Sequence, residues 1–121
     1  MLEYFIKIIY ISTDAVFPST LSMCNEKDIT SPESIYGKSK ELAEKELIKS
    51  DRNYIIIRTT IVGLNINNKK QGFVEWILNS SKKNKKISLF DDVLFNPISI
   101  WELSEEIDFI IHSGLKNGIY H

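Results

Sequence analysis

Three side chains in the first third of the sequence, Thr13, Tyr36 and Lys40, could together move a proton. Tyr36 and Lys40 are four residues apart, so on a helix they share one face, with Cβ atoms about 5–6 Å apart. A neighbouring ammonium favours the phenolate form of a tyrosine, so Lys40 would make Tyr36 a better proton donor. A Thr13 hydroxyl at the end of a neighbouring strand would then hold a substrate carbonyl oxygen beside that phenol. Tyr-x-x-x-Lys is common in helices, so its meaning depends on the elements around it.

Two apolar runs predict the strands that position these residues. Residues 6–12 are rich in Ile and Tyr and too short for a buried helix, which favours a buried parallel strand. Residues 54–60 predict a second buried strand with polar residues at its C-terminal end. Ligands of open α/β sheets bind outside the C-terminal ends of the strands. We therefore expect Thr13 and residues 58–60 to face one crevice.

A helix is predicted between these strands, after a long and functionally suggestive loop at 14–34. The triplet Ser31-Pro32-Glu33 offers a capping hydroxyl, a proline at the first helical position and an acid in the first turn, and the pattern ends near Lys49. Gly37 would lower helix stability by about 1 kcal/mol relative to alanine, and close approach of a ligand to the backbone would compensate. The predicted buried stripe consists of Ile35, Ser39, Leu42, Ala43 and Leu47.

The remaining pattern completes an α/β alternation. Residues 63–72 predict a loop, and the helix after it would turn Phe73, Val74, Ile77 and Leu78 inward. A strand is predicted at 87–90, with another at 93–95. A capping box at Ser99–Glu102 predicts a helix to about His112, with Ile100, Leu103, Ile107, Ile110 and Ile111 inside, and Gly118 begins a last strand. The fold class predicted is α/β, a partial doubly wound parallel sheet with flanking helices, in a single partial domain over 1–121.

Composition limits the possible partners. The 121 residues carry a net charge of −1 and are 43% hydrophobic, which gives no overall attraction to nucleic acid or to an anionic membrane. No apolar run reaches the ~20 residues of a membrane span, and residues 1–5 resemble a last helical turn rather than a signal peptide. The single cysteine, Cys24, cannot form an internal disulfide, so we expect a cytoplasmic protein. His112 and His121 lack neighbouring ligands, so no metal site is expected.

Motifs along nearly the whole chain resemble one family. They are Ile11-Ser12-Thr13-Asp14-Ala15-Val16-Phe17, Glu26-Lys27-Asp28, the run from Ser31 to Lys40, Glu44, Ile57-Arg58-Thr59 and Gly118-Ile119-Tyr120-His121. In this order they resemble the dTDP-4-dehydrorhamnose reductases, which are extended short-chain dehydrogenases/reductases that act on nucleotide sugars. The resemblance implies a Rossmann-like fold, NADPH or NADH as coenzyme and a nucleotide-sugar substrate.

The resemblance also implies a role for each matching residue. Thr13 would orient the 4-keto oxygen, and Tyr36 would protonate it as hydride arrives. Lys40 would assist Tyr36 and bind the nicotinamide ribose hydroxyls. Thr59 and Thr60 lie where the family's backbone passes the nicotinamide, so both are predicted cofactor-binding residues together with Tyr36 and Lys40.

A second group of positions falls in regions that line the family's sugar-nucleotide pocket. These predicted substrate-binding residues are Asp14, Phe17, Asn96 and Pro97. Two other positions depart from the family: Ala15 stands where the reductases usually carry Tyr, and Ile61 where they usually carry Trp. Both aromatics help position the sugar, so the departures predict a different nucleotide sugar or a relaxed pocket.

The sequence also lacks the Gly-x-x-Gly-x-x-Gly unit with which the family begins. That unit cradles the coenzyme pyrophosphate, so the chain is expected to be a fragment without the N-terminal half. The intact parent would be an NAD(P)H-dependent reductase of a 4-keto-6-deoxy nucleotide sugar, and the 121-residue chain alone would show little activity. A homodimer, or association with the missing half, would be its protein partner.

Three alternatives remain open at this stage. One is an epimerase or dehydratase of the same superfamily, since those enzymes also use Tyr-x-x-x-Lys. Another is a non-catalytic binding subunit like the regulatory subunit of methionine adenosyltransferase, and a third is a gene remnant.

Overall fold

A computed structural model describes residues 7–65 and 71–121. These residues form two compact units. The first unit consists of the chain up to Thr59 together with Ser113–His121, and the second consists of Thr60–His112. The elements are β1 (Lys7–Ser12), a short 3-10 helix (Asp14–Val16), α1 (Ile35–Lys49), β2 (Asn53–Arg58), β3 (Thr60–Val62), α2 (Phe73–Lys82), β4 (Pro97–Ser99), α3 (Ile100–His112) and β5 (Gly118–Tyr120).

The first unit is built on a three-stranded parallel sheet in the order β1-β2-β5. Its centre is β2, where Ile55 and Ile56 are fully buried, as expected for β-branched residues in a sheet covered on both faces. Ser12 lies opposite Arg58, so β1 and β2 end at the same edge. The predicted α/β class, the strand at 6–12 within its described residues and the last strand from Gly118 are confirmed.

The predicted strand at 54–60 is in fact two strands in two sheets. β2 ends at Arg58 because β1, its partner, ends opposite at Ser12. The chain resumes as β3 at Thr60, which pairs in parallel with β4 in the second unit. Hydrophobic periodicity cannot detect such a break, since both pieces are equally rich in β-formers.

The helix α1 ends at Lys49 as predicted but begins later than the sequence suggested. Its N-cap is Ser34, whose Oγ accepts a hydrogen bond from the Gly37 N–H at 2.9 Å. The predicted cap at Ser31 is therefore wrong, and Pro32 precedes the helix. Glu33 also lies outside it and accepts hydrogen bonds from the N–H and hydroxyl of Ser19. The sequence offers two capping serines three residues apart, and the contacts of the long loop select the second.

The inward face of α1 also differs from the predicted stripe. Gly37 and Glu44 are its buried residues, whereas Ile35 is 88% exposed and Leu42 is also exposed. Of the other predicted members, Ala43 and Leu47 are half-buried and Ser39 is exposed. Apolar spacing misplaced the face because a polar contact of Glu44, described below, turns a charged residue inward.

In the second unit, α2 begins after Gly72, whose N–H donates to the Glu75 carboxylate. This contact lowers the pKa of Glu75. Val74 and Ile77 are half-buried, but the predicted inward positions of Phe73 and Leu78 are wrong, because both side chains are about half exposed.

The capping box predicted at the start of the last helix, α3, is confirmed. The Ser99 N–H and hydroxyl donate to Glu102, and the Glu102 N–H donates back to Ser99 Oγ at 3.2 Å. Leu103 and Ile110 are buried, whereas Ile100 and Ile111 are exposed, so the predicted stripe was too wide; Ile107 is half-buried.

Two predicted strands of this unit are wrong. Residues 87–90 and 93–95 have no regular structure, and the strand lies instead at Pro97–Ser99. The predicted helical turn at 1–5 and residues 66–70 of the predicted loop lie outside the described residues. No helix among the residues described is long and apolar enough to cross a membrane.

Candidate active site

The Thr13 side chain caps the short 3-10 helix that follows β1. Its Oγ1 accepts a hydrogen bond from the Ala15 N–H at 3.2 Å and donates to Asp14 Oδ1 at 3.1 Å. Thr13 is buried, and Asp14 is half-buried beside it. The capping interaction fixes the Thr13 hydroxyl at the C-terminal edge of the sheet, where parallel sheets bind ligands.

The Lys40 ammonium lies against the same end of β1. Its Nζ donates a hydrogen bond to the Ile11 carbonyl at 2.9 Å, two residues before Thr13. It also lies 4.9 Å from the ring centroid of Tyr10 and 5.9 Å from that of Tyr36, both within the range of cation–π attraction. Tyr36 itself is 56% exposed, so a ligand can reach it. The structure thus brings the predicted pair together at the end of β1.

Gly37 explains how α1 comes so close to this edge. A Cβ at position 37 would lie 2.2 Å from the Ala15 carbonyl oxygen and 2.9 Å from Pro32 Cβ. Only glycine allows the first turn of α1 to pack against the backbone after Thr13. The close approach predicted for Gly37 is therefore made to the protein's own Ala15 carbonyl rather than to a ligand.

A buried polar cluster behind the site was missed by sequence reasoning. Glu44 is 2% exposed and Arg58 4% exposed, and they form a two-pronged ion pair. The distances are 2.6 Å from Arg58 Nη2 to Glu44 Oε2 and 3.1 Å from Arg58 Nε to Glu44 Oε1. Ser12, also buried, donates its hydroxyl to Glu44 Oε1 at 2.5 Å. The available signal was an arginine ending an apolar strand and an acid one helical turn after Lys40.

Phe17 is buried next to this cluster. Its ring lies 5.0 Å from Arg58 Cζ and 5.5 Å from the ring of His121. The His121 N–H in turn donates to Glu26 Oε1 at 3.0 Å. Hydrogen bonds from the backbone N–H groups of Glu26 and His121 lower the pKa of Glu26. The role of Phe17 in substrate binding stays a prediction.

The other predicted residues are divided between the two units. Thr59 is half-buried and directly follows Arg58 in the first unit. Thr60 opens β3 in the second unit, where it pairs with Pro97, and Asn96 is the exposed residue just before that strand. Their roles in binding stay predictions. In the part of the chain described, no three His, Cys, Asp or Glu residues lie close enough together to hold a metal ion.

Solved structures share this fold. The Bordetella bronchiseptica enzyme WbmG, solved in complex with NAD, matches 93% of this chain and 36% of its own, with a TM-score of 0.79 and 17% identity. The dTDP-glucose 4,6-dehydratase of Bacillus anthracis, also in complex with NAD, matches 94% of this chain and 39% of its own, with a TM-score of 0.70 and 21% identity. At these identities the likeness is one of fold, and it confirms the Rossmann-like α/β class.

The sequence then defines the family within that class. Residues 2–121 match the model of the RmlD substrate binding domain, and the chain belongs to this family. The dTDP-4-dehydrorhamnose reductase of Salmonella typhimurium is 30% identical over 119 residues, which are 94% of this chain and 39% of that protein. The spore coat polysaccharide biosynthesis protein SpsK of Bacillus subtilis is 30% identical over 114 residues, or 93% of this chain and 38% of SpsK. The chain therefore spans about two fifths of the length of these relatives.

Proposed function

We propose that this chain is the substrate-side part of an NAD(P)H-dependent reductase that acts on a 4-keto-6-deoxy nucleotide sugar. The observation that supports this most directly is that Lys40 lies beside the Tyr36 ring and bonds the Ile11 carbonyl, two residues before the capped Thr13 at the end of β1. A hydroxyl, a reachable phenol and an ammonium in one place are the groups that carbonyl reduction requires. The family and the reductase relatives support the same reaction class.

The residues present fit one end of a nicotinamide coenzyme. Lys40 uses one N–H on the Ile11 carbonyl and retains two for ribose hydroxyls. Thr59 and Thr60 follow the end of β2, where backbone and side chain would pass the nicotinamide. No glycine-rich pyrophosphate cradle occurs in the 121 residues, so that part of the coenzyme would bind to the rest of the parent. NADH and NADPH are both compatible with these residues.

The proton chemistry follows from the three side chains. Thr13 would turn its O–H from Asp14 to the sugar's keto oxygen and hold it beside the phenol of Tyr36. The bound coenzyme supplies hydride to the carbonyl carbon. Tyr36 gives its proton to the oxygen, so the ketone becomes an alcohol, and the Lys40 ammonium stabilises the phenolate left behind.

The residues that we propose for substrate binding are Asp14, Phe17, Asn96 and Pro97. Asp14 and Phe17 lie beside the catalytic residues in sequence, and Asn96 and Pro97 accompany Thr60 in the second unit. Alanine at position 15 and isoleucine at position 61 remove two aromatic contacts that we expect in the rhamnose pathway enzyme. We therefore propose a related sugar, or a more permissive pocket, as the substrate specificity.

The decisive experiment measures oxidation of NADPH and NADH by the intact parent with 4-keto-6-deoxy nucleotide sugars. Tyr36→Phe keeps the ring beside Lys40 but removes the proton, and it should lower kcat by about 10²–10⁴-fold, the usual contribution of a positioned general acid. Tyr54→Phe is the matched control, because Tyr54 is near the start of β2, at the opposite end of that strand from Thr59. Absence of turnover with any such sugar, or equal activity of the two variants, would refute the proposal.

The same assay separates the alternatives. Conversion of the keto sugar without added NAD(P)H would indicate an epimerase or dehydratase. No conversion, together with co-purification of an unrelated enzyme, would indicate a regulatory binding subunit.

We expect the 121-residue chain by itself to show little turnover, because a single partial domain without the pyrophosphate cradle holds the coenzyme weakly. Supplying the N-terminal half as a separate polypeptide should restore activity. Measurable turnover by the isolated chain with NAD(P)H would contradict this expectation.

A further inference from the structure

The Glu44 carboxylate contacts the last residues of β1 and β2, the strands that end just before Thr13 and Thr59. Ser12, which donates to it, immediately precedes Thr13 at the end of β1. Arg58, its ion-pair partner, immediately precedes Thr59 at the end of β2. Glu44 itself lies one turn beyond Lys40 on α1. The Glu44 side chain therefore connects the ends of β1 and β2 to α1, the helix that carries the candidate proton donor Tyr36.

The geometry of these contacts is restrictive. Both carboxylate oxygens accept from Arg58, and one also accepts from Ser12, all within 3.2 Å. Charge-assisted and two-pronged hydrogen bonds are stronger and more directional than neutral ones. Because Ser12, Glu44 and Arg58 are all less than 5% exposed, water cannot replace a contact that is lost. Displacement of α1 relative to the strand ends would leave a buried charge unpaired.

Stability alone is a weak explanation for such a cluster. The desolvation penalty of two buried charges offsets much of their mutual attraction, and apolar residues of similar volume often stabilise a protein equally well. The cost is higher here, since Nη1 of Arg58 has no hydrogen-bond partner among the residues that the structure describes. What apolar replacements would lack is the fixed direction of the contacts to Ser12 and Arg58.

We infer that Glu44 is a positioning residue: its contacts with Ser12 and Arg58 fix the position of α1 relative to the ends of β1 and β2. The position of α1 in turn determines the distance of Thr13 from Tyr36 and Lys40. The catalytic meaning of that spacing rests on the proposed function. The position of α1 can be measured without substrate, because the position of Lys40 on this helix affects the NMR signal of its side chain.

The measurement is the ¹³C–¹H NMR signal of the Lys40 ε-methylene in the full chain, assigned with Lys40→Arg. Nζ of Lys40 lies 4.9 Å from the Tyr10 ring centre and 5.9 Å from that of Tyr36, so ring currents should displace this signal from those of exposed lysines. Ser12→Ala removes one contact of Glu44, and Glu44→Gln removes its charge at nearly constant volume. Both should lose at least half of the displacement.

Glu46→Gln is the matched control, because Glu46 is an exposed acid of the same helix whose carboxylate pairs with Lys49 at the surface. It should leave the Lys40 signal in place. If folded Ser12→Ala keeps the wild-type Lys40 signal while its urea midpoint falls, Glu44 only stabilises the fold and the inference is wrong. Ser12→Ala decides the question alone if Glu44→Gln does not fold. A parent without reductase activity would overturn the proposed function and leave this result unaffected.

Discussion

Replacing Gly37 by alanine tests the contact that brings α1 to the end of β1. An exposed helical glycine replaced by alanine should gain about 1 kcal/mol of stability from helix propensity. Here the new Cβ would lie 2.2 Å from the Ala15 carbonyl oxygen, and contacts under 3.0 Å are essentially never found in real proteins. The helix and the 3-10 turn would have to separate by about 0.8 Å, since a backbone carbonyl cannot rotate away as a side chain can.

The magnitude follows from two opposing effects. Overpacking of this kind costs about 1–3 kcal/mol, and a clash with backbone belongs at the upper end of that range. Subtracting the propensity gain leaves a net loss of about 2 kcal/mol in the free energy of unfolding. At an m value of about 2 kcal/mol/M, the urea midpoint should fall by about 1 M.

Equilibrium urea unfolding, followed by circular dichroism, measures this shift. Lys38→Ala is the control, because Lys38 is the exposed neighbour in the same helical turn, and its substitution should change stability by no more than about 0.5 kcal/mol. A Gly37→Ala chain that is more stable than the wild type by the full propensity gain would show that α1 does not approach Ala15, and would refute the described arrangement of the site.

Two further predictions concern local contacts. Ser99→Ala should destabilise α3 by about 1 kcal/mol by removing its N-cap, seen as faster amide exchange in the first turn than in Ser104→Ala; equal exchange would contradict the capping box. Burial alone would raise the pKa of Glu41, but hydrogen bonds from Lys45 and Thr30 outweigh it and hold the pKa below its ordinary value. A lowered folded-state pKa contributes stability that is present above the unfolded value of about 4.3 and lost as pH falls through the folded value. The urea midpoint of Glu41→Gln should therefore fall less steeply below that pH than the wild-type midpoint, and identical pH profiles would refute the contribution of this carboxylate.

Local signals were sufficient for much of the fold. The apolar strand at 7–12, the capping box at Ser99 and the end of α1 at Lys49 each depend on residues close together in sequence, so pattern and propensity found them. The same holds for the pairing of Tyr36 with Lys40, because helical periodicity alone places residues four apart on one face.

Contacts between distant segments decided the rest. The N-cap of α1 is Ser34 rather than the predicted Ser31. The strand predicted to run to residue 60 ends at Arg58, opposite the end of its partner strand. Neither boundary can be read from the local sequence, because the two serines are equally good helix caps and the residues on both sides of the strand break are equally good strand formers.

By itself, the sequence determined that a hydroxyl, a phenol and an ammonium occur in an α/β framework with the order of the reductase motifs. Only the tertiary structure decided what holds them together. The contact of the Ala15 carbonyl with Gly37 and the buried pairing of Glu44 with Ser12 and Arg58 join residues that are 14 to 32 positions apart in sequence, and no periodicity predicts such contacts. The physical reason is that burial of a charge is favourable only when a specific distant partner is already in place.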